Sequence, residues 1–181
     1  ASEITANALV KGMHIVGEDF GAARTFLPQV MLAAEAMKTS FDALRTKIKA
    51  EDLPYAGKVV LATVKGDIHD LGKNIVSALL SNSGFAVVDL GKDVDPETIL
   101  AAVQKEKPEI VGLCALMTTT LGSMEETIKL LQKEGATAKI IVGGAVLTAE
   151  YAKEINADMY AADGVQAVRL SEQIVKENKE K

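Results

Sequence analysis

The chain has 181 residues, 48% of them apolar and 4% aromatic, with 25 acidic and 20 basic side chains and a net charge of −5. This length suits one α/β domain plus a small helical annex, and the apolar share excludes global disorder. It has no basic block interleaved with aromatics for nucleic acid, no apolar run near the ~20 residues that cross a bilayer, and no charged-then-apolar leader. One cysteine, Cys114, excludes an internal disulfide and fits a reducing cytoplasm. The chain opens at Ala1, as a processed protein or a piece of a longer one would.

Ile4, Ala8, Leu9, Met13 and Val16 recur at helical spacing, with a break expected over Gly17 to Arg24. Pro28 sits where a helix begins, and Val30, Met31, Ala34, Met37, Phe41, Leu44 and Ile48 continue the period. Two helices make no core alone, so residues 1–50 read as a partial helical cap, an incomplete bundle that packs on something else. Residues 51–57, with Pro54, read as a linker.

Residues 58–181 alternate short β runs with helices. The expected strands are Lys58–Val64, Phe85–Leu90, Ile110–Cys114, Lys139–Val142 and Asp158–Ala161. A helix over Asn74–Ser83 stops at Gly84, and Asp95-Pro96 opens the next. Ser123-Met124-Glu125-Glu126 reads as a capping box, and Thr148 and Asp163 as caps of the last two helices. Strict alternation implies an α/β fold: a flavodoxin-like (Rossmann-type) five-stranded parallel sheet of order 2-1-3-4-5. Its ligands sit outside the carboxyl ends of the strands, where the winding reverses.

The loops on that edge carry the unusual residues. After strand 1 comes Gly66-Asp67-Ile68-His69-Asp70-Leu71-Gly72-Lys73-Asn74, and after strand 3 Cys114-Ala115-Leu116-Met117-Thr118-Thr119-Thr120. After strand 4 comes Gly143-Gly144, and after strand 5 Ala162-Asp163-Gly164. Several roles are open to His69. A general base lacks a visible nucleophile, and a zinc site needs three or four ligands that His14 and Cys114 do not easily complete. One axial bond to a metal already held by a macrocycle needs nothing more, and a loop-capping surface histidine is the plain alternative. Asp67, two residues earlier, is placed to take the other ring N–H. The loop is no P-loop: five residues separate Gly66 from Gly72 where four are required, and Asn74 replaces Ser or Thr. It is no phospho-receiver either, since Cys114 stands where an acceptor aspartate belongs. Gly143-Gly144 permits close approach of a flat or bulky group.

Together these residues resemble the cobalamin-binding module of corrinoid-dependent methyltransferase systems, and are similar to that of methionine synthase. The family pattern Asp-x-His-x-x-Gly, Ser-x-Leu, Gly-Gly is matched by Asp67-Ile68-His69-Asp70-Leu71-Gly72, Cys114-Ala115-Leu116 and Gly143-Gly144, with cysteine where serine is usual. Val16-Gly17-Glu18-Asp19-Phe20-Gly21 and Phe26-Leu27-Pro28-Gln29-Val30 resemble the family's helical cap. The resemblance implies a cofactor: cobalamin or a related corrinoid, as methylcobalamin and cob(I)alamin in turnover. His69 would be the lower axial ligand to cobalt, with Asp67 and Thr120 relaying from it to solvent. Asp70, Gly72, Cys114, Leu116, Thr118, Gly143, Gly144, Asp163 and Gly164 would contact the cofactor, its nucleotide tail threading between strands 1 and 3. Phe20 and Leu27 would cover the upper face. Family caps have four helices and this chain begins near the third, implying truncation or a partner that completes the bundle.

The implied role is a carrier, not a catalyst. It takes a methyl group from a donor-specific methyltransferase and passes it to an acceptor-specific one, with a reductive activation partner and with no nucleic acid or membrane. The alternatives are a module of a methionine synthase and a cobalamin-dependent sensor. The sensor's cap usually carries a tryptophan, which this chain lacks. An adenosylcobalamin mutase domain would lack the apolar cap helices.

Overall fold

The computed structural model describes residues 8, 11–45 and 56–179. The expectations resting on Ile4, Leu9, Ile48 and residues 51–55, Pro54 included, lie outside the described residues, as do the side chains of Met13, His14, Leu27, Ala34, Phe41 and Leu44.

Two helices come first, α1 (Lys11–Gly21) and α2 (Leu27–Arg45). The expected break at Gly17 does not occur: α1 runs through it, because one glycine lowers helix propensity without removing a backbone donor. The chain turns instead over residues 22–26, and the Gln29 side chain accepts the Phe26 N–H (2.7 Å) just before Pro28.

The rest alternates without interruption: β1 (Gly57–Thr63), α3 (Leu71–Asn82), β2 (Phe85–Asp89), α4 (Pro96–Glu106), β3 (Ile110–Cys114), α5 (Leu121–Lys133), β4 (Lys139–Gly143), α6 (Ala149–Glu154), β5 (Met159–Ala161) and α7 (Gly164–Lys179). All pairings are parallel, in the order β2-β1-β3-β4-β5. Strand bounds fall within a residue of those expected. The helix starts differ more. α3 begins three residues before Asn74, and a 3₁₀ turn, Thr118–Thr120, runs straight into α5, so Ser123 lies inside that helix and caps nothing. Asp163 does cap α7. Its carboxylate accepts the Gln166 N–H (2.8 Å), while the Gln166 side chain accepts the Ala162 N–H (2.8 Å).

Side chains alternate along each strand, so the sheet has two apolar faces. Val60, Ala62, Val111, Leu113, Ile140 and Val142 meet α4, α5 and α6 through Ile99, Met124, Ile128, Leu131 and Ala152. Val59, Leu61, Ile110 and Ile141 meet α3 and α7 through Leu80, Ala167, Ile174 and Val175. The annex packs outside this second face, α2 against α3 and α1 against α7. Its Val30 and Met37 are buried, while Ile15, Phe26, Met31 and Leu32 stay exposed.

Candidate functional site

Beyond β1 the chain bends sharply. Gly66 takes φ +84°, and the Asp67 N–H closes the turn on the Val64 carbonyl (3.1 Å). The Asp67 side chain turns inward and is 0% exposed. One carboxylate oxygen accepts the His69 N–H (2.9 Å) and meets His69 Nδ1 at 2.9 Å. The other accepts the N–H groups of Leu116 (2.7 Å) and Met117 (3.2 Å) and the Thr120 hydroxyl (3.0 Å). Burial by itself would raise this carboxyl. The Leu116 N–H, then the His69 N–H and ring and the Thr120 hydroxyl outweigh it and hold the group at about 2.

An ionised carboxylate can only accept, so Nδ1 of His69 carries a hydrogen, and in the neutral ring Nε2 is the nitrogen with the lone pair. The imidazole is 47% exposed. The structure therefore brings together the predicted Asp67, His69 and Thr120. Thr120 is 4% exposed, and its hydroxyl has two acceptors in reach, the Asp67 carboxylate (3.0 Å) and the Met117 carbonyl (2.8 Å).

Beside His69 a slot of about 560 Å³ opens on the sheet's carboxyl edge. Asp70 and Gly72 line it from the first loop, Cys114 and Leu116 from the third, Gly143 and Gly144 from the fourth, and Asp163 and Gly164 from the fifth. Thr118 is exposed in the 3₁₀ turn and does not line it; Phe20, half-buried in α1, does not line it either. A cofactor tail has no path between strands 1 and 3, because β1 and β3 are hydrogen-bonded neighbours in register from Val59–Ile110 to Thr63–Cys114. The slot lies instead between the second sheet face and helices α3 and α7.

What opens the slot is missing side-chain volume. Gly143 and Ala161 face it from the sheet, where the opposite side carries branched residues, and Ala167 and Ser171 face it from α7; the space above Gly112 is taken by the Leu61 side chain. Gly144 has φ +134°, and a Cβ there would overlap the Ala115 carbonyl oxygen, so only glycine lets the third and fourth loops approach. Ile68, Leu71 and Leu116, 62%, 68% and 42% exposed, make the mouth apolar. Burial pushes the Cys114 thiol up to about 11, against the pull of the Lys73 ammonium, so it stands neutral as a weak donor at the slot wall.

Sequence reading missed Gly112, Ala161, Ala167, Ser171 and Lys73. A glycine inside an otherwise apolar strand was the available signal for Gly112. Lys73 had none: its ammonium is 2% exposed in the slot wall, bonded to Asp89 (2.6 Å) and Asn74 (2.7 Å), and only the folded chain shows that Asp89 is its partner.

The donor set limits what could bind. Among the described residues no cluster of three or more His, Cys, Asp or Glu could hold a bare metal ion. The fold and site thus define a class: a doubly wound α/β protein that seats a bulky, largely apolar group at its strand ends and offers that group a single imidazole. The chain belongs to the B12 binding domain family, whose models match residues 57–169 and residues 1–45. It is 39% identical over 175 residues to dimethylamine corrinoid protein 3 of Methanosarcina acetivorans, covering 96% of this chain and 82% of that one. Among solved structures it resembles the methanol:cobalamin methyltransferase complex MtaBC from Methanosarcina barkeri, with TM-score 0.88 and 35% identity over 96% of this chain and 67% of that one. It also resembles a cobalamin-binding protein from Desulfitobacterium hafniense, with TM-score 0.79 and 35% identity over 93% of this chain and 80% of that one.

Proposed function

We propose that this chain is a methyl carrier built around a corrinoid, cobalamin or a relative of it, working between a methyltransferase that draws on a small methylated compound and one that serves the final acceptor. The observation that carries this reading is the lone imidazole at the slot mouth, its Nδ1 fixed by a buried anionic carboxylate and its Nε2 free. A corrinoid would bring a cobalt already held by its macrocycle, so the single imidazole of His69 would be all the ligation asked of the chain. When bound, the corrinoid supplies a metal that accepts a methyl group and gives it up again.

The chain's own residues do the rest. Asp67 holds the His69 tautomer and ring plane. Gly143 and Gly144 keep the floor low, and the slot under α3 and α7, lined by Cys114 and Leu116, would hold the nucleotide tail. Ile68 and Leu71, exposed at the mouth, would give the macrocycle an apolar seat and keep water from it. The cofactor domain in this reading is the expected 58–181 with Gly57 added, since β1 begins there; the rest of 51–57 is the linker and residues 1–50 the cap. The methylamine and methanol systems named for its relatives indicate the class of methyl donor. A carrier whose metal cycles through a strongly reduced state calls for a reductive activation partner and a reducing compartment, the cytoplasm. Among the described residues no helix is long and apolar enough to cross a membrane.

The test is a titration of the apoprotein with hydroxocobalamin followed by visible absorption. Wild type is expected to bind with its benzimidazole displaced by histidine. His69→Ala is expected to bind more weakly, by about tenfold or more, and without the histidine-ligated spectrum. Identical spectra for the two proteins would overturn the reading.

A further inference from the structure

The loop that carries His69 is gripped at both ends by one short segment, the last residue of β2 and the turn that follows it toward α4. At the front, the Asp93 carboxylate accepts the Gly66 N–H (2.8 Å), and the Asp93 N–H donates to the Asp67 carbonyl (3.0 Å). At the back, the Asp89 carboxylate holds the buried Lys73 ammonium (2.6 Å) in the first turn of α3. The two grips are joined, since Asp89 also accepts the Gly91 N–H (2.8 Å) within the same turn. Asp93 does this from a left-handed backbone, φ +54°, a conformation that costs a non-glycine residue energy and persists only where surrounding contacts impose it. None of these contacts uses the Asp67 carboxylate or the imidazole.

We infer that the Asp89–Asp93 turn is a positioning clamp that presets the His69 loop for the corrinoid, with Asp93 as its principal residue. The inference rests on the carrier reading. Its physical basis is preorganisation: a loop already held in the binding conformation loses less freedom when the ligand arrives. Asp67 sets the direction of the imidazole, and the clamp sets where the loop stands relative to the slot. The Asp93 carboxylate is 46% exposed, so its ion pair with Lys65 (3.3 Å) adds little, and the Gly66 N–H is the contact that matters.

Two substitutions keep the left-handed backbone comfortable. Asp93→Gly removes the acceptor, and Asp93→Asn retains an oxygen for the Gly66 N–H. Each apoprotein is melted, its Gly66 and Asp67 amide exchange is measured, and it is titrated with hydroxocobalamin. Asp93→Gly is expected to melt near wild type, to exchange both amides faster, and to bind about tenfold more weakly with a smaller histidine-ligated fraction. Asp93→Asn is expected to restore affinity and spectrum to within about twofold. Lys73→Met, which opens the rear grip, is expected to shift the histidine-ligated fraction in the same direction. If Asp93→Gly binds as wild type does, with the same spectrum, the clamp is wrong while the carrier reading stands. If wild type itself binds no corrinoid, the carrier reading has failed first.

Discussion

The two faces of the sheet are made by the same strands and serve opposite ends. Under α4, α5 and α6, Val111, Leu113, Ile140 and Val142 meet Met124, Ile128 and Leu131 with almost no exposed surface. Under α3 and α7 the strands present Gly143 and Ala161 and helix α7 presents Ala167 and Ser171, and a slot of about 560 Å³ remains. One residue along the strand separates a packing position from an open one. The filled face supplies stability through close contact, and the other gives up contact so that a ligand can supply it.

Breaking the filled face gives the largest loss. Ile128 is 0% exposed. Ile128→Ala is expected to cost ~3 kcal/mol of unfolding free energy in urea, with corrinoid affinity per folded molecule unchanged. Filling the open face does the reverse. Ser171→Leu places a branched side chain in the slot, so the melting temperature stays level or rises while affinity for a complete cobamide falls about a hundredfold. A corrinoid lacking its nucleotide is expected to lose far less, which a paired titration checks.

Asp67 belongs to the rim where the two faces meet. Its carboxyl is lowered from 3.8 to about 2, so its stabilisation is complete above pH ~4 and fades as pH falls toward 2. The gap in unfolding free energy between wild type and Asp67→Asn is expected to be ~2 kcal/mol near pH 6 and close to zero at pH 2. A gap that does not change with pH would mean the carboxylate is not held as described. Cys114→Ser is the smallest change. Stability is expected to move by less than ~1 kcal/mol, and the stronger hydroxyl donor to shift affinity only a few-fold and only for corrinoids that carry a tail.

Much of the rim was legible because it depends on neighbours in the chain. The Asp67–His69 contact spans two residues, and the Asp163 cap three. Other features depend on which loops the crossovers bring together. Asp93 is 27 residues from Gly66, and Asp89 is 16 from Lys73. Thr118 was expected to contact the cofactor and lies outside the slot, because the 3₁₀ turn carries it onto the surface. Gly17 looked like a helix end and is an interior residue of α1.

Strict β-α alternation was enough to determine the parallel sheet, and right-handed crossovers left only a few orders, of which the expected 2-1-3-4-5 is the one observed. It also determined that the unusual residues share the carboxyl edge, because every β-α loop of such a sheet emerges there. Only the tertiary structure decided which face holds the slot, that the slot runs beneath α3 and α7, and which acidic residues steady the histidine loop. Strands buried on both sides read as unbroken apolar runs, so the deletion of volume on one face has no periodic signature, and a clamp across loops exists only once the strands are side by side.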